Sequence, residues 1–359
     1  MASLTMTLCI TLVQSVVYLV FGEPTRCQQD WSQMMNLSSP VYSPDGRFLA
    51  LKAGRLQDKT LERRLLIIDA AKWQPVHAVL IQRRKLPDRD TELWQPAWQE
   101  FFKEYHRYGF TWLDSDRLAY FDLEGRLFTL DLKHRSAKVE EIWRAERIYR
   151  LVASHKRQYV VVICTIRGLP NLACVVLDTK TKLVLYRHIT SMHDDPYPVA
   201  AFSDDDKYLA VSDGELIDVI NLEQKKVVKQ INLQDDLAVA LKFGPIPNVL
   251  IAMTSKGNLY FCDLKRGLVT GVTNLLDVGE FAGLEVLIVA NRRLLVSWNE
   301  SGIAVYDLDR LKTCWTKSLQ NHGSAVCPDQ QTILVAAADR RLLRLSISSG
   351  HISKDAPQP

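Results

Sequence analysis

The sequence predicts an all-β fold, a single seven-bladed β-propeller of four-stranded antiparallel blades. Three recurring signals predict it: a polar residue that closes an apolar strand, a glycine upstream of that strand, and an earlier turn signal in the same unit. Three turns in phase divide each unit of about 42 residues into four short strands, and a repeat of that length is typical of propellers.

The first signal is a short polar residue at the end of the third strand of each unit. Its side chain can accept a backbone N–H two residues later and so close a turn. Successive positions are separated, by subtraction, by 62, 47, 43, 42, 44 and 39 residues, so that only the first interval is long. We call these positions the corner residues: Asp69, Asp131, Asp178, Asn221, Asp263, Asp307 and Ser346.

The other two signals mark the remaining turns of the unit. Glycines in "LEGRL", "SDGEL", "SKGNL" and "ESGIAV" are predicted to supply the positive φ of a tight hairpin before the third strand. An earlier turn is marked by "SPDGRFLAL", "LDSDRLAY", "SDDDKYLAV" and "CPDQQTILV". Between the turns lie short runs rich in Val, Ile and Leu, such as "YVVVIC" and "TILVAA", which favour strands over helices.

The unit "FSDDDKYLAVSDGELIDVINLEQKKVV" resembles the blades of WD40-like and YVTN (quinoprotein-like) propellers. In those proteins a strand that ends in a hydrophobic residue and Asp is followed by a turn and an outer strand. No Trp-Asp pair ends a third strand here and no Gly-His pair opens a unit, so the resemblance is to the broader superfamily. It implies a propeller over residues 37–354, preceded by a segment 23–36 and followed by a disordered tail 355–359.

The long first interval predicts an insertion after the first blade, over residues 82–107. Aromatic residues recur there at helical spacing, which predicts a short amphipathic helix. The helix either packs its aromatic stripe against the propeller or binds a partner or a membrane surface, because aromatic residues dominate interfaces. The candidate partner-binding residues are Trp94, Trp98, Phe101, Phe102 and Tyr105.

Two further segments depart from the repeat. The stretch "GRLQDKTLERR" from Gly54 to Arg64 is rich in charge where other blades turn tightly, which predicts a solvated loop. The stretch "HITSMHDDPYP" joins the third and fourth blades and contains His193, Asp194 and Asp195. These three are weak candidates for metal ligands, because one local cluster is more often a polar loop, and no metal site is predicted.

The amino terminus and the charge balance bear on location and partners. Residues 1–22 contain no charged side chain and residues 8–22 are nearly all apolar, which predicts a signal peptide over residues 1–22, with an uncleaved anchor or a cytoplasmic chain as alternatives. A signal peptide would make the protein periplasmic or secreted, and membrane association is expected only through this segment. The formal charge of +4, from 45 basic and 41 acidic residues, excludes a strongly basic nucleic-acid-binding chain.

The cysteines do not form a metal-binding pattern. Cleavage after residue 22 would leave six of the seven, and no CxxC or Cys/His spacing is present. Cys164 and Cys174 flank one predicted hairpin and are the pair placed to meet. The others are expected to be buried thiols.

The sequence favours an interaction protein over an enzyme. It contains no GxSxG, HExxH or P-loop motif and no adjacent cysteines, so no catalytic residue and no cofactor is predicted. We therefore expect a non-catalytic scaffold that binds one or more proteins. The alternative is an exported subunit of an oxidoreductase, similar to the large subunits of amine dehydrogenases, which carries no cofactor itself.

Overall fold

The computed structural model describes most of the chain from residue 34 onward and contains no helix in that part. The described residues are 34–57, 60–85, 109–133, 137–191, 198–233, 236–244, 248–272, 282–289, 292–299, 301–310, 312–337 and 341–353. They form 27 strands in seven antiparallel sheets, and each sheet joins consecutive strands in chain order. The predicted all-β propeller of seven blades is confirmed.

Blades 1 to 4 each have four strands, ordered from the inner to the outer edge. Blade 1 contains β1 (Met34–Tyr42), β2 (Phe48–Gln57), β3 (Thr60–Asp69) and β4 (Gln74–Lys85). Blade 2 contains β5 (Phe110–Trp112), β6 (Arg117–Phe121), β7 (Arg126–Asp131) and β8 (Lys138–Arg144). Blade 3 contains β9 (Arg147–Ala153), β10 (Tyr159–Thr165), β11 (Leu172–Asp178) and β12 (Val184–Ile189). Blade 4 contains β13 (Ala200–Phe202), β14 (Tyr208–Asp213), β15 (Leu216–Asn221) and β16 (Lys226–Asn232).

Blades 5 and 6 repeat this pattern, and blade 7 is reduced at its outer edge. Blade 5 contains β17 (Ala238–Phe243), β18 (Val249–Thr254), β19 (Leu259–Asp263) and β20 (Leu268–Val272). Blade 6 contains β21 (Ala282–Val289), β22 (Arg292–Asn299), β23 (Gly302–Asp307) and β24 (Lys312–Ser318). Blade 7 contains β25 (Asn321–Val326), β26 (Thr332–Ala337) and β27 (Leu342–Ser346). An isolated bridge between Leu345 and Ile352 stands where its fourth strand would lie.

The sheets form a closed ring because an apolar core fills every gap between neighbouring blades. One cluster joins blades 1 and 2, and others join each following pair in turn. A seventh cluster joins blade 7 to blade 1, where Leu334 and Leu342 pack with Leu49 and Leu51. Strands covered on both faces explain the continuous apolar runs in the sequence.

Each corner residue is the last residue of the third strand of its blade. Asp178 shows the geometry, since its Oδ1 accepts backbone N–H groups from Lys180 at 2.8 Å and Thr181 at 2.7 Å. The side chains of Asp69, Asp131, Asn221, Asp263 and Asp307 also accept N–H groups from the turn that follows. Ser346 differs, because its hydroxyl instead lies 2.9 Å from the Ser348 hydroxyl. We call the face that carries these turns the corner face.

The opposite face, which we call the hairpin face, carries the turns between second and third strands. Gly125, Gly214 and Gly257 have φ values of +71°, +64° and +78°, as a tight hairpin requires. Gly302 instead begins β23 and pairs with Asn299.

Blade 1 is taller than the other blades, and the prediction of a solvated loop at Gly54–Arg64 is wrong. β2 and β3 have 10 residues each, whereas β14 and β15 of blade 4 have 6. Their ladder runs without a break from Phe48–Asp69 to Gln57–Thr60. Charged residues are compatible with these strands because Glu62 and Arg63 are buried among neighbouring side chains, 5% and 1% exposed.

The boundaries of blade 1 also differ from the predicted ones. β1 begins at Met34, and β4 continues to Lys85, so the first four residues of the predicted insertion belong to a strand. The rest of the insertion, with its five aromatic candidates, lies outside the described residues. So do the predicted signal peptide 1–22, His193, Asp194, Asp195 and the tail 355–359.

Cys164 and Cys174 are free thiols, so the pairing that the hairpin suggested does not occur. Cys164 is opposite Ala173, and Cys174 is opposite Ile163, which offsets the two cysteines by one residue. They consequently point to opposite faces of the sheet, Cys164 towards the core with blade 2 and Cys174 towards the core with blade 4. Cys262, Cys314 and Cys327 are also free, and of these Cys314 is exposed.

Candidate functional site

The upper part of blade 1 is the most irregular feature of the ring. Counted back from the corner residue Asp69, a third strand of 6 residues would begin at Arg64, so Thr60–Arg63 extend beyond it on the hairpin face. Four further residues at about 3.4 Å each raise the β2–β3 hairpin by roughly 14 Å. We call this part of blade 1, residues 54–57, 60–64 and 80–85, the raised hairpin.

Ion pairs hold the raised hairpin in one conformation. The Glu62 carboxylate accepts two hydrogen bonds from Arg64, at 3.0 and 2.6 Å, and two from Arg83, at 2.9 and 2.6 Å. Each arginine therefore binds one carboxylate oxygen through two nitrogens, and charge-assisted bonds of this kind are among the stronger ones. Burial raises the pKa of Glu62, but Arg64 and Arg83 lower it by more, so the pKa lies below its usual value.

The outer strand of the raised hairpin presents a mixed surface to solvent. Leu80 is 44% exposed, and Arg83 and Lys85 are exposed as well. Exposed apolar residues also occur on the outer strands of other blades, for example Val139 at 47%. The height of blade 1, and not its outer apolar surface, therefore distinguishes it.

Two buried cations, Lys52 and Arg63, lie at the base of the raised hairpin. Lys52 of β2 is 5% exposed, and burial lowers its pKa to about 7, with Arg63 and Arg150 lowering it further. Arg150 belongs to β9, the inner strand of blade 3, and is half-buried. The base of the raised hairpin thus contains an amine that titrates near neutral pH, because the charged form is poorly solvated there.

A second group of ionisable residues lies between blades 3 and 4. His188, Asp213 and Asp218 place one ligand atom each within 4.8 Å of one another. The Nε2 atom of His188 is 3.0 Å from Oδ2 of Asp218. Burial raises the pKa of Asp218, but His188 and Gln230 lower it by more, and Asp218 therefore keeps its charge at neutral pH.

A shallow cleft on the corner face lies where blade 7 meets blade 1. It has a volume of about 580 Å³, and its lining includes Tyr42, Arg47, Cys327 and Arg344. The Tyr42 hydroxyl lies 3.6 Å from the Cys327 sulfur. Burial raises the pKa of both groups, so Cys327 is a protonated thiol at neutral pH and a poor nucleophile.

Neither the raised hairpin nor the group of His188, Asp213 and Asp218 was predicted from the sequence. His188 opens the segment in which His193, Asp194 and Asp195 were singled out, but its partners Asp213 and Asp218 come from the next blade. The available signal was Asp218 itself, a carboxylate inside the apolar strand "LIDVIN". The raised hairpin was signalled by Leu61 and by the apolar run that follows Arg64, which continue the strand pattern through the charges.

The fold defines the chain as a seven-bladed β-propeller, an architecture consistent with the WD40-like fold. No known protein-family model matches the sequence, and a search of curated proteins found no match. Among the residues that the structure describes, no helix is long and apolar enough to cross a membrane.

Proposed function

We propose that the protein is a non-catalytic scaffold that binds one or more proteins, and that the raised hairpin of blade 1 is the principal contact. The observation that carries this proposal is the height of blade 1 on the hairpin face, where β2 and β3 have 10 residues each and the equivalent strands of blade 4 have 6. The apolar clusters that join blade 1 to its neighbours contain none of residues 60–63, so closure of the ring does not require these four residues.

The raised hairpin has the properties of a preformed binding surface. Its conformation is fixed by the Glu62 ion pairs and by the buried Arg63, so little conformational entropy is lost on binding. Its outer strand offers Leu80 beside Arg83 and Lys85, and such a mixture of apolar and cationic groups suits a protein surface with acidic residues. The sequence that follows Lys85 also contains the candidate partner-binding residues Trp94 and Trp98.

The proposal is tested by capture of partners from native extract on the immobilised full chain, with quantitative mass spectrometry. The double variant Leu80→Asp, Lys85→Glu changes the raised hairpin without touching the Glu62 ion pairs. Val139→Asp is the matched control, because Val139 is equally exposed on the outer strand of blade 2. We expect partners that bind the wild-type chain and Val139→Asp to be depleted at least 10-fold on the double variant.

A third variant separates the strand from the segment that follows it. Replacing residues 86–107 by a Gly/Ser linker of equal length keeps β4 and removes the aromatic candidates. Loss of the same partners would assign both parts to one contact. If neither the double variant nor the replacement changes the set of captured proteins, the raised hairpin is not the binding surface.

A further inference from the structure

His188, Asp213 and Asp218 come from three strands of two blades and meet near the hairpin face. His188 lies on β12, the outer strand of blade 3, whereas Asp213 ends β14 and Asp218 lies within β15 of blade 4. A carboxylate inside an otherwise apolar strand loses its hydration, which costs free energy unless a partner compensates for it. The side chain of Asp218 is nevertheless 5% exposed, and that of His188 is 11% exposed.

Each carboxylate is oriented by a neutral donor from its own surroundings. Gln230 donates its amide to Oδ1 of Asp218 at 2.8 Å, which leaves Oδ2 turned towards His188. Ser191 donates both its backbone N–H, at 2.6 Å, and its hydroxyl, at 2.8 Å, to Oδ1 of Asp213. Hydrogen bonds of this kind, one oxygen held and the other directed inward, are what orient the carboxylate ligands of metal sites.

The histidine is not satisfied by its neighbour. Its Nε2 atom is buried and, despite the 3.0 Å separation from Asp218, makes no hydrogen bond of acceptable geometry in the described part of the chain. A simple ion pair between the two groups would align the N–H with the carboxylate oxygen. A buried ring nitrogen without a hydrogen bond, with ligand atoms of two carboxylates within 4.8 Å, is an arrangement that a metal cation would satisfy.

We propose that His188, Asp213 and Asp218 bind a zinc ion between blades 3 and 4. An imidazole and two carboxylates form a ligand set that Zn²⁺ accepts, with bonds of about 2.0–2.2 Å. Two ligand atoms on a tetrahedral ion are then roughly 3.3 Å apart. The Nε2–Oδ2 separation of 3.0 Å is close to this value, and since all three ligand atoms lie within 4.8 Å of one another, a movement of Asp213 by at most about 1.5 Å brings in the third ligand. A solvent molecule would complete the coordination shell.

A second histidine of the chain provides a matched comparison. His155 also lies near two aspartates, with Nε2 3.4 Å from Asp204 and Nδ1 3.9 Å from Asp206. Its side chain is 39% exposed, and Oδ1 of Asp206 is already bound by the His155 backbone N–H at 2.8 Å. Its two aspartates approach different ring nitrogens, so they cannot converge on one ion bound to the imidazole.

The experiment measures zinc binding to the full chain after removal of metal with EDTA. Equilibrium dialysis against Zn²⁺ at pH 7.5, with elemental analysis, gives the number of bound ions and their affinity. Because the chain contains 8 histidines and 7 cysteines, the result is read as a difference between variants. We expect His188→Gln and Asp213→Asn each to lose one zinc ion per chain or to weaken it more than 10-fold, whereas His155→Gln binds as the wild-type chain does.

A positioning residue gives an independent readout. Gln230→Ala keeps all three ligands but releases Oδ1 of Asp218, and we expect it to weaken zinc binding by about 10- to 100-fold. Circular dichroism verifies that each variant is folded. If His188→Gln does not fold, the test rests on Asp213→Asn, which changes a less buried residue. The proposal is wrong if the wild-type chain binds no zinc, or if Asp213→Asn binds zinc as tightly as the wild type. Neither outcome bears on the proposed contact at blade 1.

Discussion

At the scale of single residues, buried charges are the positions where this chain departs most from its own repeat. Glu62, Lys52 and Asp218 lie in strands whose equivalents in other blades are apolar, and each is at most 5% exposed. Burial of an ion costs several kcal/mol unless a partner compensates for it, so such residues need a specific reason to be there. Glu62 belongs to the raised hairpin and Asp218 to the group of His188, Asp213 and Asp218, which is why we assign the functional proposals to these two groups.

The Glu62 ion pairs are expected to stabilise the raised hairpin. Glu62→Gln keeps the size of the side chain but leaves Arg64 and Arg83 without their carboxylate. We expect the free energy of unfolding, measured in urea at pH 7, to fall by about 1–3 kcal/mol. Glu124→Gln is the control, since Glu124 is 70% exposed and its pairing with Arg126 should be worth less than about 0.5 kcal/mol.

The same variant predicts a pH dependence. Because the folded pKa of Glu62 is lower than its unfolded value, its contribution is fully present above about pH 4.3 and is lost as the pH falls through the folded pKa. The difference between wild type and Glu62→Gln should therefore shrink on acidification. A difference that stayed constant down to pH 3 would contradict the role given to the carboxylate.

Lys52 predicts a pH dependence of the same sign in the alkaline range. Its folded pKa of about 7 lies below the ordinary value of 10.5, so the unfolded chain binds more protons between these two values. The free energy of unfolding should consequently rise with pH across this window, by up to about 1.4 kcal/mol per unit. Lys52→Met removes the titrating group, and we expect a flatter dependence in urea unfolding between pH 7 and 10. Equal slopes for the two chains would contradict the burial of a titrating amine.

At the scale of elements, the turns were the most predictable part and the strand lengths the least. Corner residues and hairpin glycines act through local hydrogen bonds and local backbone angles, so their meaning can be read from a few neighbouring residues. The height of blade 1 was harder to read in this way, because Glu62 is compensated by Arg83 of the next strand, 21 residues later. The zinc-binding group was hidden for the same reason, since its ligands come from two blades.

Two hairpin glycines with similar positive φ angles predict different costs of substitution. At Gly214 (φ +64°) an added Cβ meets open space, so Gly214→Ala should cost only the strain of positive φ, about 1 kcal/mol. At Gly125 (φ +71°) the Cβ would lie 2.4 Å from the backbone oxygen of Ala145. We expect Gly125→Ala to lower the midpoint of thermal unfolding considerably more than Gly214→Ala does. Equal shifts would show that the turn of blade 2 is looser than described.

At the scale of the whole molecule, the ring is held by contacts that no single repeat contains. Arg47 of blade 1 binds Asp116 of blade 2 at 2.9 Å, and Asp206 of blade 4 accepts backbone N–H groups from His155 and Lys156 of blade 3. The closing contact pairs the Trp73 ring of blade 1 with the guanidinium of Arg344 of blade 7, at 5.2 Å. The period of the sequence predicted the number of blades, but these links and the reduced outer edge of blade 7 depend on tertiary packing.

The functional alternatives also belong to this scale. A scaffold and an oxidoreductase subunit without a cofactor of its own would share the same ring, so the subunit hypothesis stays a prediction. Export, which depends on residues 1–22, stays a prediction as well. The captured partners would separate the two functions, because a subunit should bring a cofactor-bearing chain with it.

Closure of the ring between blades 7 and 1 is the claim on which the site assignments depend, and a distance between spin labels tests it most directly. Labels at Lys72→Cys and Ser349→Cys would lie on exposed turns beside the closing contact, in a chain whose Cys9, Cys27 and Cys314 are replaced by serine. Because packed sheets lie about 10 Å apart, we expect a narrow distribution of label-to-label distances, centred at roughly 10–30 Å.

The pair Lys72→Cys and Lys225→Cys, which spans the ring to blade 4, should give a longer distance. A broad distribution for the first pair, or one longer than that of the second, would contradict the closed ring.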